Sequence, residues 1–199
     1  TPDELHTPSV TEADVFFTTG ITPALSEQLY ETTAALLETA STTAFDLNYR
    51  SKLWSESAAA DAFDDFLPAV DTLFAPERDA REILDLSGQA VDVAETLRSR
   101  YGCETVVLTR GADGALAATE DATVEQAAVE ADTYDPIGTG DAFVGAFLSR
   151  RVDGGSVSEA LEWAAAAAAL KRTMAGDVAY ISPEEVEFVL RQDTIDIDR

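Results

Sequence analysis

The sequence predicts an α/β fold built on a mainly parallel sheet, and three observations carry that expectation. Short apolar or β-branched runs alternate with segments of helical periodicity, and strands joined through helices give a largely parallel sheet covered on both faces. Asp46, Asn48, Arg110 and Gly111 all lie at or just beyond the carboxyl ends of predicted strands, where open α/β sheets bind their ligands. The 199 residues are enough for one domain with a sizeable core, and no internal repeat or low-complexity linker divides them.

The elements follow in order. After a Pro/Thr-rich lead, residues 15–19 predict a strand, and 23–39 a helix with Pro23 near its first turn. Residues 43–47 predict the second strand, 57–68 a helix and 72–75 a short strand. Helices are expected over 76–86 and 89–101, and the β-branched run at 105–109 predicts a central strand. Gly111 to Gly114 forms a turn into a strand at 115–119, and 124–129 predicts another strand. Helices at 141–151, 156–173 and 183–190 complete the chain.

Charge narrows the class. Asp and Glu number 38 against 13 Lys and Arg, a formal net charge of −25, and only Lys52 and Lys171 are lysines. The acidic residues are spread through helical patterns rather than gathered in a tail, so they describe a solvated folded surface of the salt-adapted kind. Such a field repels nucleic acid. The single cysteine, Cys103, excludes an internal disulfide framework and fits a reducing cytoplasm. It precedes an apolar strand, where a buried structural thiol is expected. His6 is the only histidine, which excludes a His-based metal site or a Ser-His-Asp triad. The longest apolar run, 163–170, is too short to span a bilayer, and no leader is evident at the start.

Four constellations carry chemistry. In residues 135–143, Gly138 and Gly140 flank Thr139, and Asp141 follows where an amphipathic helix is expected to begin. A helix N-terminus offers unpaired N–H donors and a partial positive charge, and glycines let an anion approach the backbone. A carboxylate beside that anion hole can take a hydroxyl proton while the amides stabilise a transferring phosphoryl group. The combination points to phosphoryl transfer to a small alcohol, whereas four such residues alone also describe a capped loop. In 45–54, a strand ends in Asp46, Asn48 and Arg50, with Lys52 and Trp54 beyond. The Arg50 fork suits carboxylate or phosphate, and Trp54 is expected in the core. Thr109 to Gly114 describes either a phosphate-lining turn or a simple hairpin. Gly176 before Asp177 is first of all a helix C-cap. There is no P-loop.

In this order the four constellations resemble the ribokinase-like (PfkB) family of carbohydrate kinases. The segment from Asp135 to Asp141 is similar to the family's second signature, Asp-Thr-x-Gly-Ala-Gly-Asp, with Pro136 for Thr and Thr139 for Ala. The resemblance implies a Rossmann-like three-layer sandwich over residues 1–199 as a single domain. It makes Asp141 the catalytic base and Gly138, Thr139 and Gly140 the anion hole. Residues 45–54 look like a segment of 2-keto-3-deoxygluconate kinases and some fructokinases, which puts Arg50 on the sugar acid; the Gly-Asp after the last core helix is similar to the former subgroup and puts Asp177 there beside Asp141. ATP would lie against Asn48, Thr109, Arg110, Gly111, Gly114, Gly138 and Gly140. The family's Asn-x-x-Glu motif, which organises Mg²⁺ through water, meets Pro76 and Asp79 here, so Asp79 and Glu77 are the metal candidates. The chain resembles the C-terminal two-thirds of the family, without the β-lid and the Gly-Gly signature.

These expectations amount to an ATP- and Mg²⁺-dependent cytoplasmic kinase of a sugar acid, with no nucleic-acid or membrane partner. Any homo-oligomer would belong to the full-length parent. A fructokinase-type enzyme and a non-catalytic nucleotide-binding remnant are the alternatives.

Overall fold

The computed structural model describes residues 4–5 and 8–197, with side chains apart from Pro8 and residues 192–197; His6 lies outside the described residues. Two compact units are present. The first comprises Thr1–Arg110 and Leu116–Thr123; the second comprises Gly111–Ala115 and Val124–Arg199.

The first unit is built on strands β1 (Phe16–Thr19), β2 (Thr43–Asp46), β3 (Thr72–Pro76) and β4 (Thr105–Thr109), which pair in parallel in that order. Strands β5 (Ala115–Ala118) and β6 (Thr123–Gln126) continue the six-stranded order. Every residue of β2 is buried, as a strand covered on both faces requires. Helices α3 (Glu27–Thr39), α4 (Glu56–Phe66), α5 (Glu77–Leu84) and α6 (Ala90–Tyr101) belong to this unit. Phe45, Phe63, Phe66, Leu73, Leu97 and Val106 fill its core. Trp54 packs edge-on against Phe63 with ring centroids 5.6 Å apart. Cys103 is buried, and burial pushes its thiol up to about 12.

The predicted helix over 23–39 is two helices, α2 (Ile21–Ala24) and α3. Ser26 divides them: its backbone is extended, at φ −167°, and its hydroxyl accepts the Leu29 N–H at 3.2 Å, an N-cap inside a continuous helical pattern. A short helix α1 (Pro8–Thr11) occupies part of the Pro/Thr-rich lead. Pro76 stays in β3 opposite Thr109, so α5 begins one residue later than expected.

The second unit packs α7 (Thr139–Val152), α8 (Val157–Arg172) and α9 (Pro183–Ile197). Helix α8 opens with a reciprocal capping box between Ser156 and Glu159. Its alanines bring neighbours close: Ala165 and Ala169 pack with Val129, and Ala166 and Ala167 with Val186. No helix among the described residues is long and apolar enough to cross a membrane.

Candidate active site

In the second unit the N-terminus of α7 is set by a stapled turn. The N–H groups of Tyr134 and Asp135 both donate to the Arg172 carbonyl, at 2.8 and 3.1 Å. Asp135 Oδ1 accepts the Ile137 N–H at 3.0 Å, and its Oδ2 accepts the Gly176 N–H at 3.1 Å. One carboxylate therefore ties residues 135–137 to the turn after α8. The Ile137 amide, followed by the Gly176 amide and the charge of Lys171, holds the Asp135 carboxyl below the usual carboxylate range.

Gly138 caps α7 in the left-handed region, at φ 79°. A Cβ there would stand 2.3 Å from the Asp177 carbonyl oxygen, so glycine is required both by conformation and by space. The helix opens at Thr139, two residues before the start expected from the sequence. Asp141 is accordingly an exposed first-turn residue and not the cap. The Thr139 N–H and hydroxyl both turn back to the Pro136 carbonyl, at 3.3 and 2.7 Å. The leading orphan donors of the helix are therefore the amides of Gly140 and Asp141. Gly138, Asp141 and Asp177 line one cleft of about 380 Å³, together with Gly145, Trp163 and Ser182. The fold thus brings the Gly-Thr-Gly-Asp turn and Asp177 to one place within this unit. The glycine turn of the third constellation belongs to the same unit. Gly111–Asp113 is a single 3₁₀ turn, and a Cβ on Gly114, at φ 81°, would meet the Gln126 carbonyl oxygen at 2.1 Å.

The first unit carries the other candidates. Asn48 has a left-handed backbone, φ 38°, and donates its N–H to Asp46 Oδ1 at 3.1 Å. A non-glycine residue in that region marks a turn held by its surroundings. Arg50 is exposed and bonds the Tyr49 carbonyl at 3.0 Å. Asp79 is 2 % exposed at the start of α5, where Arg78 donates twice to its Oδ1. Glu77 is held by Arg81 one turn on. No group of three or more His, Cys, Asp or Glu side chains placed to hold a metal ion occurs among the described residues. Thr109 closes β4, and Arg110 is half-buried at the end of this unit.

The sequence does not mark Asp135 as an anchor, and it shows Lys171 only as one of two lysines. The signal for Lys171 was its register: it follows Ala164 and Ala167 at helical spacing on the buried stripe of α8.

A model described as "pfkB family carbohydrate kinase" matches residues 1–184. A 2-dehydro-3-deoxygalactonokinase of Haloferax volcanii is 56 % identical over 202 residues, covering 100 % of this chain and 64 % of that protein. A 2-dehydro-3-deoxygluconokinase of Thermoproteus tenax is 33 % identical, covering 96 % of this chain and 59 % of the relative. The chain thus spans about three-fifths of the curated relatives it matches. Among solved structures, a 2-dehydro-3-deoxygluconokinase of Thermotoga maritima superposes with a TM-score of 0.87 at 27 % identity, over 96 % of this chain and 64 % of that one.

Proposed function

The chain belongs to the pfkB family of carbohydrate kinases, and from that premise we propose that its activity is ATP-dependent phosphorylation of the terminal hydroxyl of a 2-keto-3-deoxy sugar acid. The observation that carries the reading is the α7 N-terminus. The Asp141 carboxylate belongs to the same first turn as the orphan amides of Gly140 and Asp141, and Asp141 shares a cleft with Asp177. In this role Asp141 accepts the substrate hydroxyl proton, and the glycine-rich turn binds the transferring phosphoryl group. Asp177 and Arg50 contact the sugar acid, with the Arg50 guanidinium suited to its carboxylate. Asn48, Thr109, Arg110, Gly111 and Gly114 contact the nucleotide.

Asp79 and Glu77 would hold Mg²⁺, which would supply neutralisation of the phosphate charge. Mg²⁺ in such kinases keeps several waters and takes only one or two carboxylates. Asp79 fits that requirement, because both Arg78 bonds fall on a single oxygen of a buried carboxylate; Glu77 would act beside it. The sugar, ATP and Mg²⁺ are the ligands of this reading, in the cytoplasm of a salt-adapted cell.

Two sugar acids compete for the substrate role. The arginine-bearing segment at 45–54 supports 2-keto-3-deoxygluconate, and the 56 % identity to a galactonokinase supports the galactonate epimer. The test is ATP-dependent phosphorylation in concentrated KCl with Mg²⁺, offering both epimers, fructose and ribose. Turnover of one or both keto acids supports the proposal. Turnover of fructose alone replaces it with the fructokinase reading. ATP binding without any turnover makes the chain a nucleotide-binding remnant.

A further inference from the structure

Lys171 is a buried cation that the proposed reaction does not use. It lies in the last turn of α8 and is 0 % exposed. Among the described residues its Nζ reaches one hydrogen-bond acceptor, the Met174 carbonyl, at 3.5 Å. An ammonium has three donors and a compact charge, and burying it with so little compensation is costly. The C-terminal end of a helix offsets part of that cost, because the macrodipole there favours a cation. The rest must come from its neighbours.

Those neighbours are the two turns that meet at the α7 N-terminus. The Lys171 Cε lies 3.3 Å from where a Gly138 Cβ would stand. The next residue, Arg172, gives its carbonyl to the Tyr134 and Asp135 amides. Asp135 in turn holds Gly176, and Asp177 crowds Gly138. Lys171 therefore stands beneath a junction closed from both sides, and the nearby carboxylate whose titration its charge alters is that of Asp135.

We propose that Lys171 is a positioning residue, whose buried ammonium locks the 135–138 turn onto the 174–177 turn and so fixes the direction of the first donors of α7 and of the Asp141 carboxylate. Its catalytic consequence rests on the phosphoryl-transfer reading; its structural content does not. The charge matters more than the volume, since methionine would fill the same space without attracting Asp135.

The test is Lys171→Met in the full chain, read by NMR. The expected result is a folded protein in which the Ile137 and Gly176 amides exchange about tenfold faster, as a locally loosened junction would. Exchange in α6 should stay as in the unsubstituted chain. Asp135, followed at its carboxyl carbon, should titrate at higher pH than before. If exchange at Ile137 and Gly176 and the Asp135 titration are both unchanged, the proposal is overturned, whatever happens to the melting temperature. Should the methionine variant fail to fold, Asp135→Asn decides the matter from the other side. Loss of that carboxylate should shift the Lys171 Cε resonance, and an unmoved resonance overturns the coupling. Where the chain phosphorylates sugar, Lys171→Met should lower kcat with ATP binding preserved. If the chain phosphorylates nothing, the functional reading fails while the NMR result still stands on its own.

Discussion

Replacing Gly138 by alanine tests the geometry of the candidate site more sharply than any change to a charged group. The residue sits at φ 79°, and the new methyl would lie 2.3 Å from the Asp177 carbonyl oxygen. Holding a non-glycine residue in the left-handed region costs about 1–2 kcal/mol. Displacing a packed backbone carbonyl adds an overpacking cost of about 1–3 kcal/mol. The sum, about 2–5 kcal/mol, lowers the melting temperature by roughly 4–20 °C for a chain of this size. Gly140→Ala is the internal comparison: it lies in the first turn of α7 and a Cβ there meets nothing within 4 Å. That substitution should leave stability unchanged or raise it by about 0.4–1 kcal/mol through the unfolded chain. Thermal unfolding followed by circular dichroism in concentrated KCl measures both. A Gly138→Ala protein that melts with the unsubstituted chain, or a Gly140→Ala protein that falls as far, refutes the close approach of the Asp177 carbonyl to the cap.

Three further outcomes are expected. Asp141→Asn should lower kcat by about 10²–10⁴-fold, the range for a general base, with ATP affinity little changed; an unchanged kcat removes Asp141 from the base role. The Ser156 amide and hydroxyl, and then Arg150, hold the Glu159 carboxyl below its usual range. Its stabilising effect is therefore present above the unfolded glutamate value of about 4.3 and lost as pH falls through the lower folded value. Glu159→Ala should destabilise at neutral pH, and urea titrations should show the difference closing in acid. ATP affinity, measured by calorimetry over the range of KCl in which the chain stays folded, should rise with salt.

The strands were legible because each carries its own signal. The β-branched run at 105–109 became β4 without adjustment. The missed boundaries share one physical cause: a cap decided by geometry that apolar periodicity does not encode. Ser26 interrupts a continuous helical pattern, and Gly138 starts α7 from a left-handed turn two residues before the expected aspartate. Candidate residues could be named where residue type and place coincide, and three of them, Gly138, Asp141 and Asp177, line one cleft. The supporting residues could not. Asp135 bonds an amide 41 positions away, and no local pattern announces that. Lys171 looks like an ordinary last-turn cation until its burial is known.

The charge distribution explains why the proposed anion site should be made of backbone. A chain with net charge −25 repels a polyanion such as ATP at long range. At about 1 M salt the screening length falls to about 3 Å, which silences the scattered surface carboxylates. The same salt would silence an exposed lysine, and Lys52 is the one exposed lysine in the chain. Amides at a helix N-terminus act at contact distance, where mobile ions do not intervene, and they stay uncharged in the unbound protein. Attraction confined to first-turn donors therefore survives the salt that removes the repulsion, and a rise of ATP affinity with KCl would be the sum of a fading long-range term and a constant short-range one.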